Sequence, residues 1–305
     1  MTLDEEFGGL PALLSDLVAE GEVSAVSARI CVGGRTVESG SAGRRLRDPE
    51  TPAGEETLFD LASLTKTITA TLALALHRRG DLSLETRLGA LFPEARPDLG
   101  DRSLEDLLRH RSGLASWVPL YALGGGPEDA VERVVSGSFP SLEESPYSDL
   151  GYILWGIAAE RATGASLERL METVTRPLGM TATEASPGPR PDVAECHLDQ
   201  GREVELAAKR GIRLESELDR PADGSGIRHG SPQDGNARFL GGLAGHAGLF
   251  GTAADLARLA EEWRRPERLL DPSSVRRALE GEGRYALGWW RPSAAPETVG
   301  DWGSG

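Results

Sequence analysis

Lysine is almost missing from this chain. Of its 33 basic residues only Lys66 and Lys209 are lysine, and the rest are arginine. Arginine keeps its proton at every accessible pH, whereas lysine gives one up when desolvated or crowded by other cations. In a chain that uses arginine wherever a generic positive charge serves, a lysine marks a place for a removable proton. Cysteine is equally sparse: Cys31 and Cys196 cannot build a disulfide framework and fall in no C-x-x-C or related metal-ligand spacing, so both are expected to be buried or incidental. The five histidines (His77, His110, His197, His229 and His246) show no H-E-x-x-H or similar pattern, and neither a metal nor a cofactor is expected.

Other absences narrow the function. There is no G-x-S-x-G elbow and no G-x-x-x-x-G-K phosphate loop, which argues against an α/β-hydrolase and a P-loop nucleotide enzyme. No apolar run reaches transmembrane length, and the acidic start Met-Thr-Leu-Asp-Glu-Glu-Phe lacks the basic and apolar regions of a signal peptide. A cytoplasmic protein without membrane contact is the expectation. Positive charge is also in deficit: 33 basic against 48 acidic residues give a net charge of -15, which repels phosphate backbones and makes nucleic acid an improbable partner.

What is present reads first as sheet and then mainly as helix. Residues 23 to 43 alternate through Val26, Ala28, Ile30 and Val32 and return after Gly33-Gly34, the pattern of a hairpin. A short extended run at Thr57-Leu58-Phe59 leads into a helix from about Leu61 to Arg79, apolar on nearly all faces and stopped by His77-Arg78-Arg79-Gly80. Ser103 with Asp106 predicts a capping box for a short helix closed by Gly113. Further helices are expected over 149–163, from Leu167 to Pro177, and from about Ala253 to Trp263. Residues 184–235 read as long loops with a weak strand or helix signal around Val204 to Ile212.

Chemistry concentrates in two places. Ser63-Leu64-Thr65-Lys66 opens the buried helix, and residues three apart share a face, so the amine reaches the hydroxyl. The positive helix end and burial both favour moving a proton from Ser63 to Lys66. The same four residues also fit a first-turn serine and a snorkelling lysine. Tyr147-Ser148-Asp149 is the second place. In an extended segment Tyr147 and Asp149 project to one side and Ser148 to the other, so a phenol and a carboxylate can enter one cleft. A plain N-cap at Asp149 and an edge-of-core Tyr147 are the competing reading.

The two elements together resemble the serine β-lactamase and penicillin-binding-protein superfamily, in its class C branch with the related esterases and peptidases. Leu58 through Lys66, Leu107-Leu108-Arg109-His110-Arg111-Ser112-Gly113-Leu114, Tyr147 through Gly156, Arg176 through Met180, and Ala244-Gly245-His246-Ala247-Gly248-Leu249-Phe250 occur in the order of that branch. The resemblance spans roughly residues 21 to 289. It implies an α+β fold over 1–305 as a single domain: an antiparallel sheet with flanking helices and a largely helical subdomain.

The resemblance also implies roles. Ser63 would be acylated, Lys66 would assist as base, and Tyr147 would carry the proton to the leaving group, with the Ser63 N–H as half of the oxyanion hole. Asp149 is read as a substrate-binding residue, and His246, between small residues in a glycine-rich turn, either lines the substrate site or makes a structural hydrogen bond. Asp149 replaces the more usual asparagine, and a carboxylate there would pair with Lys66 and make it a poorer base. Asp234 and Asn236 fall where relatives carry H-D-x-N-A, with Gln233 in place of the histidine, a loop expected to be structural. The third motif belongs on a strand after Ala286-Leu287-Gly288-Trp289, where only Gly303-Ser304-Gly305 is available, so the C-terminal strands are expected to be missing and the chain truncated. Two functions follow: a serine hydrolase working through an acyl-enzyme on esters, small amides or β-lactam-like substrates, or a non-catalytic relative that binds peptide-like ligands.

Overall fold

β1 (Ala25–Val32) and β2 (Arg35–Arg47) pair antiparallel with Val32 opposite Arg35, and Gly33 and Gly34 turn between them with φ of 60° and 78°. A two-residue turn of that kind matches the twist of the strands and suits residues without a Cβ. β3 (Glu50–Pro52) extends the sheet beside β2. Helix α1 (Leu10–Ala19) lies on the hairpin: Leu10 and Leu14 are buried, and the Leu10 N–H donates to Glu38 Oε1 at 2.8 Å. The computed structural model describes residues 9–137, 147–197, 200–209, 211, 227–281 and 284–291.

β4 (Phe59–Asp60) follows the hairpin and leads, through a 3-10 turn at Ala62–Leu64, into α2 (Thr65–Arg79). Every residue of α2 from Thr65 to Leu76 is buried, as its all-round apolar pattern predicts. Its buried threonines keep their hydroxyls bonded, Thr69 to the Gly245 carbonyl at 2.7 Å and Thr71 to the Thr67 carbonyl at 2.8 Å, which removes the cost of burying them. Gly80 ends the helix with φ of 79° behind three basic residues, the stabilising arrangement for a helix C-terminus.

Helices surround α2. α3 (Leu104–Leu108) starts in a capping box formed by Ser103 and Asp106. It stops earlier than expected, because His110 already turns the chain at φ of 57° before Gly113 is reached. α4 (Pro127–Ser136) is followed by α5 (Asp149–Thr163) and α6 (Leu167–Leu178), which pack with α2 through residues such as Ile68, Leu72, Trp155 and Met171. The weak signal near Val204 resolves as a helix, α7 (Gln200–Lys209). α8 (Gly235–Phe239), α9 (Ala253–Arg264) and α10 (Pro272–Leu279) follow, and a single helical turn at Pro97–Gly100 precedes α3. The mixture of an antiparallel sheet with flanking helices is the expected α+β class.

A second small sheet positions the site. β8 (Leu249–Gly251) lies between β4 and β5 (Glu184–Ala185), pairing Asp60 with Phe250. It thereby ties the entry to α2 to the end of the glycine-rich loop at 241–248. β6 (Glu195–His197) and β7 (Ile227–His229) form a two-stranded sheet. Cys31 corrects the expectation of burial: it sits near the hairpin turn and is exposed, while Cys196 is half-buried. Ala286 and Leu287 are buried, and Gly288 lies so close to α2 that a Cβ there would fall 2.6 Å from the Ala70 methyl. Gly303, Ser304 and Gly305 lie outside the described residues, as do parts of the loops at 115–145 and 184–235.

Candidate active site

Asp60, at the end of β4, sets the turn that carries Ser63. One carboxylate oxygen accepts the Ala62 N–H at 2.9 Å and the other accepts the Gln233 N–H at 2.7 Å. Ala62 is held at φ of 44°, a region a non-glycine residue occupies only when its surroundings fix it. The following 3-10 turn, Ala62–Leu64, leaves Ser63 exposed at its middle.

Two side chains converge on Ser63. The Lys66 Nζ donates to its Oγ at 2.9 Å, and the Tyr147 hydroxyl donates to the same atom at 3.1 Å. Lys66 is only 4% exposed; its ammonium lies 2.7 Å from Asp149 Oδ1 and 3.3 Å from the His246 carbonyl, and the Tyr147 ring is 4.9 Å away. Lys209, the other lysine, is an exposed partner of Glu205 on α7.

The 147–149 segment alternates as its extended pattern predicts. Tyr147 and Asp149 face Ser63 and Lys66, while Ser148 turns inward, donating to the Ala115 carbonyl at 2.7 Å and accepting from the Gly151 N–H at 3.3 Å. Ser148 is therefore the N-cap of α5. Asp149 is released from capping and given to the lysine.

Of the two readings of His246, the geometry takes the structural hydrogen bond. Its ring is 1% exposed and its Nε2 lies 2.9 Å from Asp234 Oδ1, so only its backbone carbonyl faces Lys66. Gly245 is what lets the loop come this near: a Cβ there would lie 2.1 Å from the Tyr152 carbonyl oxygen. Asp234 also caps α8 through the Ala237 N–H. Asn236, fully buried, accepts from the Leu120 N–H and donates to the Val118 carbonyl, which fits the structural role expected of that loop.

Burial by itself drives the Lys66 ammonium toward losing its proton, but Asp149, with Tyr147, outweighs it and raises the lysine above its ordinary value. Burial and the Asp149 charge likewise raise the Tyr147 phenol, against the pull of Lys66. Burial lifts Asp234, yet His246 opposite brings it below the usual carboxylate range. At neutral pH the site is a protonated lysine and a protonated tyrosine around a neutral serine, with Asp149 supplying the counter-charge.

A cleft of about 580 Å³ opens over Ser63. Its walls are chiefly apolar and aromatic, from Leu61, Leu64, Tyr147, Tyr285, Trp289 and Trp290. Trp289 also packs edge-on against Trp263, at 5.4 Å between ring centroids, so it serves both core and cleft. Cleft residues without an assigned role in the sequence include His110, Tyr152 and Tyr285. His110 stacks on Tyr147 with centroids 4.5 Å apart, and its position within Leu107–Leu114 was the one available signal. Among the described residues no group of three or more His, Cys, Asp or Glu is placed to hold a metal ion, and no helix is long and apolar enough to cross a membrane.

The sequence profile of the Beta-lactamase family matches residues 10–301. The chain belongs to the Beta-lactamase family. Esterase EstB of Burkholderia gladioli is 30% identical over 274 residues, covering 80% of this chain and 67% of that protein. A putative D-alanyl-D-alanine carboxypeptidase of Escherichia coli K12 is 28% identical over 241 residues, covering 72% of this chain and 53% of that protein. Among solved structures, the octameric penicillin-binding protein homologue from Pyrococcus abyssi superposes with a TM-score of 0.64 at 22% identity, over 90% of this chain and 62% of that one. A class C beta-lactamase gives 0.61 at 21% identity, over 85% and 65%. At such identities these structures speak for the fold alone. The chain spans about half to two thirds of the length of these curated relatives.

Proposed function

We propose that this member of the Beta-lactamase family is a serine hydrolase that turns over carboxylic esters of apolar acyl groups through an acyl-enzyme on Ser63. The observation that carries the reading is the convergence of Lys66 Nζ and Tyr147 OH on Ser63 Oγ, at 2.9 and 3.1 Å. Distances of that size are what general acid–base catalysis at a nucleophile requires.

In the proposed reaction Lys66 acts from the fraction that has released its proton to solvent, as a neutral amine beside Asp149. Ser63 Oγ then attacks the ester carbonyl while its proton passes to Lys66. The C–O bond to the leaving alkoxide breaks as Tyr147 protonates it, and Lys66 returns a proton to Tyr147. Water repeats the sequence on the acyl-enzyme, releasing the acid and restoring the Ser63 hydroxyl. The Ser63 N–H serves as one oxyanion donor.

The cleft lining favours an uncharged apolar acyl group. Burying an alkyl or aryl acyl chain against Leu61, Leu64 and Trp289 yields about 0.8 kcal/mol per CH₂. Amides and β-lactams remain secondary substrates in this reading. A second reading, a relative that binds ligands without turnover, draws on the Asp149–Lys66 pair, which keeps the base protonated.

Steady-state hydrolysis of p-nitrophenyl butyrate and of a chromogenic cephalosporin separates these readings. Ester turnover that exceeds cephalosporin turnover and vanishes in Ser63→Ala is expected. Absence of turnover on both supports the binding reading, and faster cephalosporin turnover overturns the ester assignment.

A further inference from the structure

His110 takes no proton in the reaction proposed above, yet it holds the tyrosine arm of the site from behind. Its ring lies 27° from parallel to the Tyr147 phenol at a centroid distance of 4.5 Å. Its Nδ1 accepts the Ser148 N–H at 2.9 Å, so the residue grips both the side chain of Tyr147 and the peptide that follows it. Tyr152 at 5.2 Å and Tyr285, edge-on at 4.9 Å, hold the imidazole in turn. The backbone of His110 sits at φ of 57°, where a non-glycine residue stays only when its surroundings fix it.

Nδ1 lies 2.9 Å from the Ser148 nitrogen and 3.1 Å from its carbonyl oxygen; the shorter contact pairs with the tautomer that carries its hydrogen on Nε2. The groups facing it are Tyr147, Tyr152 and Tyr285 through their rings, and Lys66 and Asp149 through space. Burial and the nearby Lys66 push the imidazole down to about 4, so it stays neutral through the range in which an esterase would work.

We infer that His110 is a positioning residue that fixes the Tyr147 hydroxyl at the point where it delivers a proton to the leaving group. This rests on the reading of Tyr147 as the leaving-group acid. At the reacting end the Tyr147 hydroxyl meets Ser63 at 3.1 Å and Lys66, and a displacement of about 1 Å in a proton-transfer partner costs on the order of a hundredfold in rate. The role has a particular kinetic signature. An alkyl ester needs a proton on its departing oxygen as the C–O bond breaks, whereas p-nitrophenolate leaves without one. Loss of His110 therefore penalises the first substrate and spares the second.

The test compares kcat/KM for ethyl butyrate and p-nitrophenyl butyrate in the wild-type chain, His110→Asn, His110→Ala and Tyr147→Phe. Asparagine tolerates positive φ and places a carbonyl oxygen near the position of Nδ1, so His110→Asn keeps the turn and the Ser148 bond while removing the ring face. The ethyl ester is expected to lose about tenfold in His110→Asn and about a hundredfold in His110→Ala, with less than about threefold lost on the p-nitrophenyl ester in each. Tyr147→Phe is expected to show the same selectivity with a larger loss. Equal losses on both esters, or no loss, in the His110 variants overturn the proposal. Selectivity in Tyr147→Phe without it in His110→Asn removes the proposal alone, whereas its absence in Tyr147→Phe removes the leaving-group reading and the proposal with it.

Discussion

Asp149 Oδ1, on the first residue of α5, lies 2.7 Å from Lys66 Nζ, and the same ammonium lies 2.9 Å from the Ser63 hydroxyl. The carboxylate keeps a proton on the amine that must be free to take one from serine. Converting Asp149 to Asn removes that charge and leaves burial to govern Lys66, which lowers its proton affinity; the phenol of Tyr147 falls with it. Acylation at each pH between 5 and 9, where Lys66 is chiefly protonated in the parent, is expected to rise about tenfold or more as the acid limb moves down, measured with a chromogenic ester. An unmoved limb would show that Asp149 does not set the lysine proton.

Lys66→Arg keeps the positive charge beside Asp149 but cannot release a proton. Acylation is expected to fall by about a thousandfold, within the usual span for loss of a general base, while far-UV circular dichroism stays native. Acylation within tenfold of wild type would remove Lys66 as the base.

Gly245→Ala tests the backbone cradle of Lys66. The added Cβ would approach the Tyr152 carbonyl oxygen to 2.1 Å, and backbone on both sides has to move. A loss of about 2 to 4 kcal/mol in urea unfolding is expected, with lowered esterase activity as the His246 carbonyl leaves Lys66. A variant as stable as the parent would mean that the loop relaxes freely there.

His110 gives the stability a pH dependence. Its folded value of about 4 lies below the ordinary 6.5, so the unfolded chain binds this proton first. The contribution is complete above about pH 6.5 and drains as pH falls toward 4, amounting to at most about 3 kcal/mol. Urea midpoints are expected to drop between pH 7 and 5.5 in the parent, and less steeply in His110→Asn. Equal slopes in the two proteins would exclude His110 as the source.

The parts of the site that depend on local periodicity were legible in the sequence. Three-residue spacing on a helix brought Lys66 to Ser63, and two-residue alternation turned Tyr147 and Asp149 the same way. What depends on the path of a distant loop was not. Whether His246 offers its ring or its carbonyl is decided by how tightly Gly245 seats against Tyr152, which no pattern encodes. Ser148 and Asp149 are both good capping residues, and only the buried bond from Ser148 to Ala115 decides between them. His110 meets Ser148 across 38 residues of chain, beyond the reach of any periodicity. Helices α4 and α10 went unread although Pro127 and Pro272 stand at their starts, because each is short and its apolar face small.

The most direct measurement is intact-mass spectrometry after exposure to a fluorophosphonate, followed by peptide mapping. A single adduct is expected, carried on Ser63, absent in Ser63→Ala and strongly slowed in Lys66→Arg. No adduct on the folded protein, or one that persists in Ser63→Ala, would contradict the assignment of Ser63 as the nucleophile.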